Sequence, residues 1–552
     1  MSDSAAKIGR RPATSRASTG FLDGSLSPLR PRCRWRPIVC AFGLASPLAA
    51  ALAVTTAALP ARADEPRQAG EPRMLSEPGE VTNVIDAFDG DDVFDLHLTL
   101  GYQYSWKRSH IRRETTIGNA ANPGLSTGGF TASNMNVATY EENTSRLNTR
   151  ADIGLYHDIA LFFRMPIILS NDRKLSDLNG SANQQSIVLA GGPNDGQPLF
   201  TLPFNSPQRS GVEYLAVGVD FGFMNQYRDP SKPTWMGGFE ARFSVGEPMH
   251  ACNGALPQTA PMGGGQVRCT YPSDYDRNGR PTGVPGIDEG NFSGTPSPGV
   301  TRGTTGLELH SAISKRIKYV EPYTGFRALF EFPQAKSDFG STDLKGALVA
   351  HPPLQGWVYV GMQIIPWEQR ESFQRITFDG RVAGSYRSEG RDYSELFDAL
   401  GSSSAPSLRR AAYSAYKSDP SAPGGSIVDT GSQRVYFTGI TDVSAYASIR
   451  ASLSVTWQAG EYIKFTAGGG FTRDQSHLIT ADQACNSDFS GSVGQAGPCR
   501  VETPATATSP ATVRASGIPN PHYRPTIDAV GRRFRTDDTN LWDAWIMGIV
   551  MF

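Results

Sequence analysis

Asp274, Asp276 and Asn278 stand at alternate positions ahead of Gly279, and Asp288 and Glu289 follow within the same polar stretch. Oxygen donors at every second residue can converge on one hard cation while the glycine permits a sharp turn, so these three residues form a candidate calcium loop. Position twelve of that loop is Pro285, where a complete EF-hand carries a bidentate glutamate, so the full motif is excluded. Asp474 and His477 are an acid and an imidazole close enough in sequence to suggest a catalytic pair, but a spacing of three puts them on opposite faces of a strand. His110, His250, His351 and His522 fall in loop-like segments with no serine arrangement beside them. No catalytic set emerges, and the expectation is a protein that is not an enzyme and needs no cofactor beyond calcium in the loop just described.

A larger set of ionisable residues has a period of two. In Phe94, Leu96, Leu98, Leu100, Tyr102, Tyr104 and Trp106, seven apolar residues alternate with Asp95, His97, Thr99, Gly101, Gln103, Ser105 and Lys107. Strict alternation of that length marks a β-strand with one apolar and one polar face. The pattern recurs over 146–155, 161–169, 215–223 and 235–245, and further strands are expected around 304–314, 319–332, 353–365, 371–387, 435–456, 462–480 and 536–552. On the polar phase stand Lys107, Arg146, Arg150, Asp152, Arg164, Glu240, Arg242, Glu308, Glu321, Arg327, Arg375, Asp379, Arg381 and Arg450; His97 and His310 belong with them. Charges of both signs on one face of every strand need water or each other. They read either as a wet lining that tunes ion preference or as a cross-strand ion-pair network that fills a narrow interior.

The connections alternate in length. Short turns fall near 156, 228, 316, 367 and 459, and long polar segments near 115–143, 176–211, 247–303, 334–351, 388–433 and 481–533. The chain closes on Trp542-Asp543-Ala544-Trp545-Ile546-Met547-Gly548-Ile549-Val550-Met551-Phe552. An aromatic C-terminal strand, an even strand count, and short turns alternating with long loops resemble a bacterial outer-membrane β-barrel of the porin-like class. That resemblance implies an all-β, transmembrane, antiparallel up-and-down barrel of about twelve strands (10 to 14), with Phe552 read by the assembly machinery. It further implies short periplasmic turns, long extracellular loops, outer-membrane lipid around the barrel and a monomer. The omptin-type proteases and the outer-membrane phospholipase use barrels of this size, but the residues above supply neither active site.

Composition agrees with this reading. The 552 residues include Gly 58 and Pro 39, with 10% aromatics and a mean hydropathy of −0.33; alternation hides apolar surface from such averages. Arg30, Arg32, Arg34 and Arg36 precede an apolar stretch from Ile38 to Leu59 and then Ala61-Arg62-Ala63. These predict a signal peptide over 1–63, a mobile periplasmic lead-in over 64–91 and the barrel over 92–552. The signal carries more basic than acidic residues, so the mature chain is acidic, which gives no footprint for nucleic acid. Four cysteines lie beyond the signal as two close pairs, Cys252 with Cys269 and Cys485 with Cys499. In an exported chain, short loop closure favours two local disulfides over pairing across the loops.

Two features bear on whether the interior is open. Asp392 to Gly401 reads as a short helix with an Asp N-cap, a Glu at its third position and a Gly stop. It could cover the mouth or fold into the lumen as a constriction, although a plain surface helix is the commoner outcome. In the last strand Trp545, Met547, Ile549 and Met551, on the inner phase, are apolar too, so the interior beside the closing seam is expected to be packed. The leading expectation is a passive channel for small solutes; the alternatives are a surface-interaction barrel with a blocked lumen and, third, an outer-membrane hydrolase.

Overall fold

The computed structural model describes residues 81–85, 95–118, 130–176, 199–254, 297–334, 337–339, 346–403, 405, 408, 416–418, 426–428, 437–488, 493 and 499–552. All of them belong to the C-terminal of the chain's two compact units, Pro72–Phe552. The expected signal peptide, the candidate calcium loop at Asp274, Asp276 and Asn278, and Cys269 lie outside the described residues.

Twelve long strands form one sheet: β1 Leu96–Gly118, β2 Phe130–Tyr156, β3 Ile159–Ser176, β4 Leu215–Met224, β5 Thr234–Phe243 and β6 Thr304–Ser314, then β7 Val320–Pro333, β8 Gln355–Gln369, β9 Gln374–Arg387, β10 Tyr446–Gly460, β11 Ile463–Asp474 and β12 Phe534–Met551. Each pairs antiparallel with the next in sequence, and β12 pairs back to β1, so the sheet closes. The seam runs from His97 opposite Met551 to Trp106 opposite Trp542, and Leu96 and Phe552 exchange both backbone hydrogen bonds at 3.2 and 2.9 Å. Closure leaves no unpaired edge, which is the condition for crossing a membrane with strands.

Large apolar side chains are exposed on the outer face of every strand, from Leu98, Leu100, Tyr102, Tyr104 and Trp106 on β1 to Trp542, Ile546 and Val550 on β12. Trp106 and Trp542 stack across the seam with ring centroids 6.2 Å apart. The short connections all lie at the end that also holds Leu96 and Phe552. Asp158 and Lys318, both left-handed with φ of 56°, turn the chain sharply there. Asp158 also takes hydrogen bonds from Asn225 at 2.9 Å and Arg228 at 2.6 Å, tying neighbouring turns together.

The other end differs from the sequence reading in two ways. The stretch 115–143, read as a polar loop, is strand up to Gly118 and again from Phe130. The β1–β2 hairpin is therefore far longer than the 9 to 11 residues per strand that a bilayer needs. The short helix is α1, Phe397–Gly401, and Asp392 does not cap it: Leu396 occupies the N-cap position without a side-chain bond. Asp392 instead ends a short strand, Gly390–Asp392, paired with Thr441–Val443. Ion pairs to Arg302 at 2.8 Å and Arg387 at 3.2 Å hold its carboxylate there. Burial raises the pKa of Asp392, but these two guanidinium groups outweigh it and hold the carboxyl below its ordinary range.

Every residue of α1 is buried. Leu396, Leu400 and Leu408 pack with Leu199, Phe200, Phe204, Ile479, Ile527 and Phe534 and with the inward-facing Ile111, Val137, Tyr140 and Leu175 of the first three strands. The long loops thus fold inward and build an apolar core within the loop end of the barrel, against the surface helix that sequence statistics favour. Cys485 and Cys499 are disulfide-bonded with their Cα atoms 5.6 Å apart.

Candidate functional site

Period-two alternation turns the polar phase of all twelve strands inward, and below the apolar cap these side chains surround a cavity of about 790 Å³. Its wall includes Arg150, Asp152, Arg242, Glu308, Arg327, Asp379, Arg381 and Arg450, together with His97 and His310. Trp545, Met547 and Ile549 line it on β12, so the apolar inner phase of the last strand faces this space. Trp357 and Tyr359 add two more rings from β8.

The wall charges are organised into networks. Arg150 contacts Asp152 at 2.6 Å and Asp220 at 3.2 Å, and His310 meets the same Asp220 at 2.7 Å. Arg164 and Arg242 both bond Glu240 at 2.5 Å; Arg242 reaches on to Glu308, which Arg327 approaches at 3.8 Å. Arg381 donates to the Tyr323 hydroxyl at 2.9 Å, and that hydroxyl donates to Asp379 at 2.6 Å. Arg450 grips Asp543 with two bonds of 2.7 and 2.6 Å. Pairing of this kind keeps ionised groups at membrane depth without a free charge on every strand.

The remaining residues singled out from sequence lie around the cavity's ends. Lys107 reaches up to Glu395, beside α1, at 2.7 Å, and Arg146 pairs with Glu213 at 3.1 Å. Glu321 and Arg375 are buried near the short turns, where Glu321 accepts a 2.7 Å hydrogen bond from Ser314. Asp474 and His477 make no joint site: His477 is buried and stacked face to face on Tyr446, with ring centroids 3.7 Å apart. His250 is buried beside Asp338 at 2.8 Å; burial lowers its pKa, but that carboxylate outweighs it and the net shift is upward. Among the described residues no group of three or more His, Cys, Asp or Glu side chains is placed to hold a metal ion.

Sequence reasoning offered a folded-in segment at 392–401 as one outcome but not the contacts that hold it, and it missed the inner closure. At the loop end Arg209 grips Asp398 of α1 with bonds of 2.9 and 2.6 Å, and both side chains are almost wholly buried. Asp398 also accepts the Cys252 backbone N–H at 3.0 Å. At the turn end, residues 81–85 of the stretch read as a mobile lead-in run inside the barrel. Val81 and Val84 pack on Met236, Ala312, Tyr323 and Tyr359, and Thr82 hydrogen-bonds Ser314 at 2.8 Å. The one available signal was weak: Val81, Val84 and Ile85 form a short apolar group in a segment rich in acidic residues, Pro and Gly.

An even-stranded closed barrel, apolar outside and charged inside, with short turns and both strand termini at one end and long loops at the other, meets every structural criterion of its class. This is a transmembrane β-barrel of the outer-membrane type. No protein-family model matches the chain, and no curated protein matches it. Among solved structures it is similar to a Pseudomonas aeruginosa FadL homologue, at 8% identity over 83% of this chain and 90% of that one, with a TM-score of 0.28. The outer membrane protease OmpT from Escherichia coli aligns at 7% identity over 83% and 96%, with a TM-score of 0.23. The P. putida toluene transporter TodX aligns at 10% identity over 87% and 93%, also at 0.23. Identities and scores this low say nothing about what the barrel carries.

Proposed function

We propose that this barrel is a passive, porin-like channel of the bacterial outer membrane for small solutes, with its turns in the periplasm, its loops outside the cell and its lumen drawn closed. The observation that carries the reading is the cavity: about 790 Å³ of space to which all twelve strands contribute, with paired charges of both signs on its wall. A barrel that served only as a surface scaffold would gain nothing from such a chamber, because charged groups in a dry interior are costly. The two closures act as ends of a path. α1 and its apolar surroundings hold the outer end, and residues 81–85 hold the inner end.

The blocked-lumen reading has its own support in the apolar core of the loop end. Swelling of liposomes that contain the refolded protein separates the two. A channel swells them with small sugars and amino acids and excludes larger oligosaccharides. A correctly folded barrel, judged by heat-modifiable gel mobility, that swells them with no solute would favour the scaffold.

A further inference from the structure

Glu240 and Glu308 are two carboxylates shared among three guanidinium groups, those of Arg164, Arg242 and Arg327. The chain of contacts ends at Arg327, whose one ionic contact among the described residues is the 3.8 Å approach to Glu308, an acid already engaged by Arg242. The other guanidinium groups of the cavity wall are held more closely: Arg150, Arg242 and Arg450 each have a carboxylate oxygen within 2.6 Å, and Arg381 has a phenol oxygen at 2.9 Å. Arg327 is also far more exposed, with 47% of its side chain open while it lines the cavity. A guanidinium that is incompletely neutralised inside a low-dielectric wall attracts an anion far more strongly than one at the protein surface.

Register supplies the rest of the site. Arg327 on β7 lies directly opposite Trp357 on β8, and both face the cavity. Two positions along β8 on the same face stands Tyr359, over Gly325, where a Cβ would meet the Tyr359 hydroxyl oxygen at 2.4 Å. On its other flank Arg327 lies opposite His310, whose Nε2 is engaged by Asp220 at 2.7 Å. Tyr359 itself is buried, with Val81 and Val84 packed on its cluster and Arg381 over its ring, so the open arrangement is one planar cation across from the Trp357 ring in a chamber large enough for a small organic molecule.

We infer that the cavity holds a binding site for a small aromatic carboxylate, with its carboxylate on the Arg327 guanidinium and its ring against Trp357. A planar carboxylate matches the guanidinium fork with two parallel hydrogen bonds. The site rests on the reading of the cavity as a solute chamber and names the class of solute it would favour.

Calorimetric titration of the full-length barrel, folded in zwitterionic detergent, with phenylacetate, 2-phenylethanol and phenethylammonium tests this. The three probes share a ring and differ in charge. The site predicts that phenylacetate binds about tenfold or more tighter than either of the others, the margin of one charge-assisted pair. Arg327→Gln removes that margin and leaves phenylethanol unchanged; Arg327→Lys keeps part of it; Trp357→Leu weakens phenylacetate and phenylethanol together. Equal binding of all three probes by the wild type, or a margin that survives Arg327→Gln, overturns the site. Heat-modifiable mobility shows that each variant is folded. Phenylacetate binding in a barrel that passes no current upholds the site and overturns the channel reading, whereas current without the margin overturns the site alone.

Discussion

Gly468 shows how much of the lumen is set by single residues. A Cβ there would lie 2.5 Å from the Trp545 ring and 2.7 Å from the Ser454 Cβ, so this glycine gives the ring room to turn inward beside the seam. Gly468→Val is predicted to lower stability by about 1–3 kcal/mol, the usual cost of overpacking. The urea midpoint of the heat-modifiable gel band measures it, and Gly468→Val combined with Trp545→Ala should recover most of the loss. Asp442 makes a second prediction. Burial, then Asp482 and Glu389, hold its carboxyl well above the ordinary carboxylate range, with Arg391 opposing them. A raised folded value means that the native state keeps this proton while the unfolded chain loses it. Its contribution is therefore full in acid and is lost as pH rises toward the folded value. The urea midpoint should fall between about pH 5 and about pH 9, and fall less in Asp442→Asn, if this group sets the slope.

Among the elements, the β1–β2 hairpin explains what the sequence could and could not show. In Leu98 to Trp106 lipid demands an apolar residue at every second position, and the pattern is plain. Beyond Lys107 the strands rise past that demand. Arg108 and Glu141 pair across the hairpin at 2.6 Å on the outer side, where water replaces lipid, and the inner face mixes buried Ile111 with buried Ser109 and Arg113, so no apolar alternation marks strand there. The same reasoning covers α1. Its five residues bury completely because Leu396, Leu400 and Leu408 find partners from distant loops, and no local spacing announces contacts of that kind. The polar phase that makes the charged wall was legible; which charges pair across strands and what caps the chamber were not, since both depend on register and on loop packing. The inner closure is the simplest to remove. Deletion of residues 81–85 should raise single-channel conductance and leave the unfolding midpoint nearly unchanged, because among the described residues this stretch is tied to the wall by one side-chain hydrogen bond and a small apolar contact. Unaltered conductance would mean that this segment does not limit the path.

For the whole molecule, the outer surface fits lipid, the charges of the wall are paired, and each end is closed by chain that is not part of the barrel's sheet. Asp398 ties the outer closure to Arg209, and removal of one partner from a buried pair leaves an uncompensated charge, at a cost of about 3–5 kcal/mol. That cost falls on the cap and spares the twelve-strand ladder, so Asp398→Ala should loosen the cap while the barrel stays closed. Single-channel recording of wild type and Asp398→Ala in planar bilayers is the most direct test. The account predicts small, infrequent currents from the wild type and larger, longer openings from the variant, with both proteins showing heat-modifiable mobility. Two correctly folded barrels that both pass no current would contradict it.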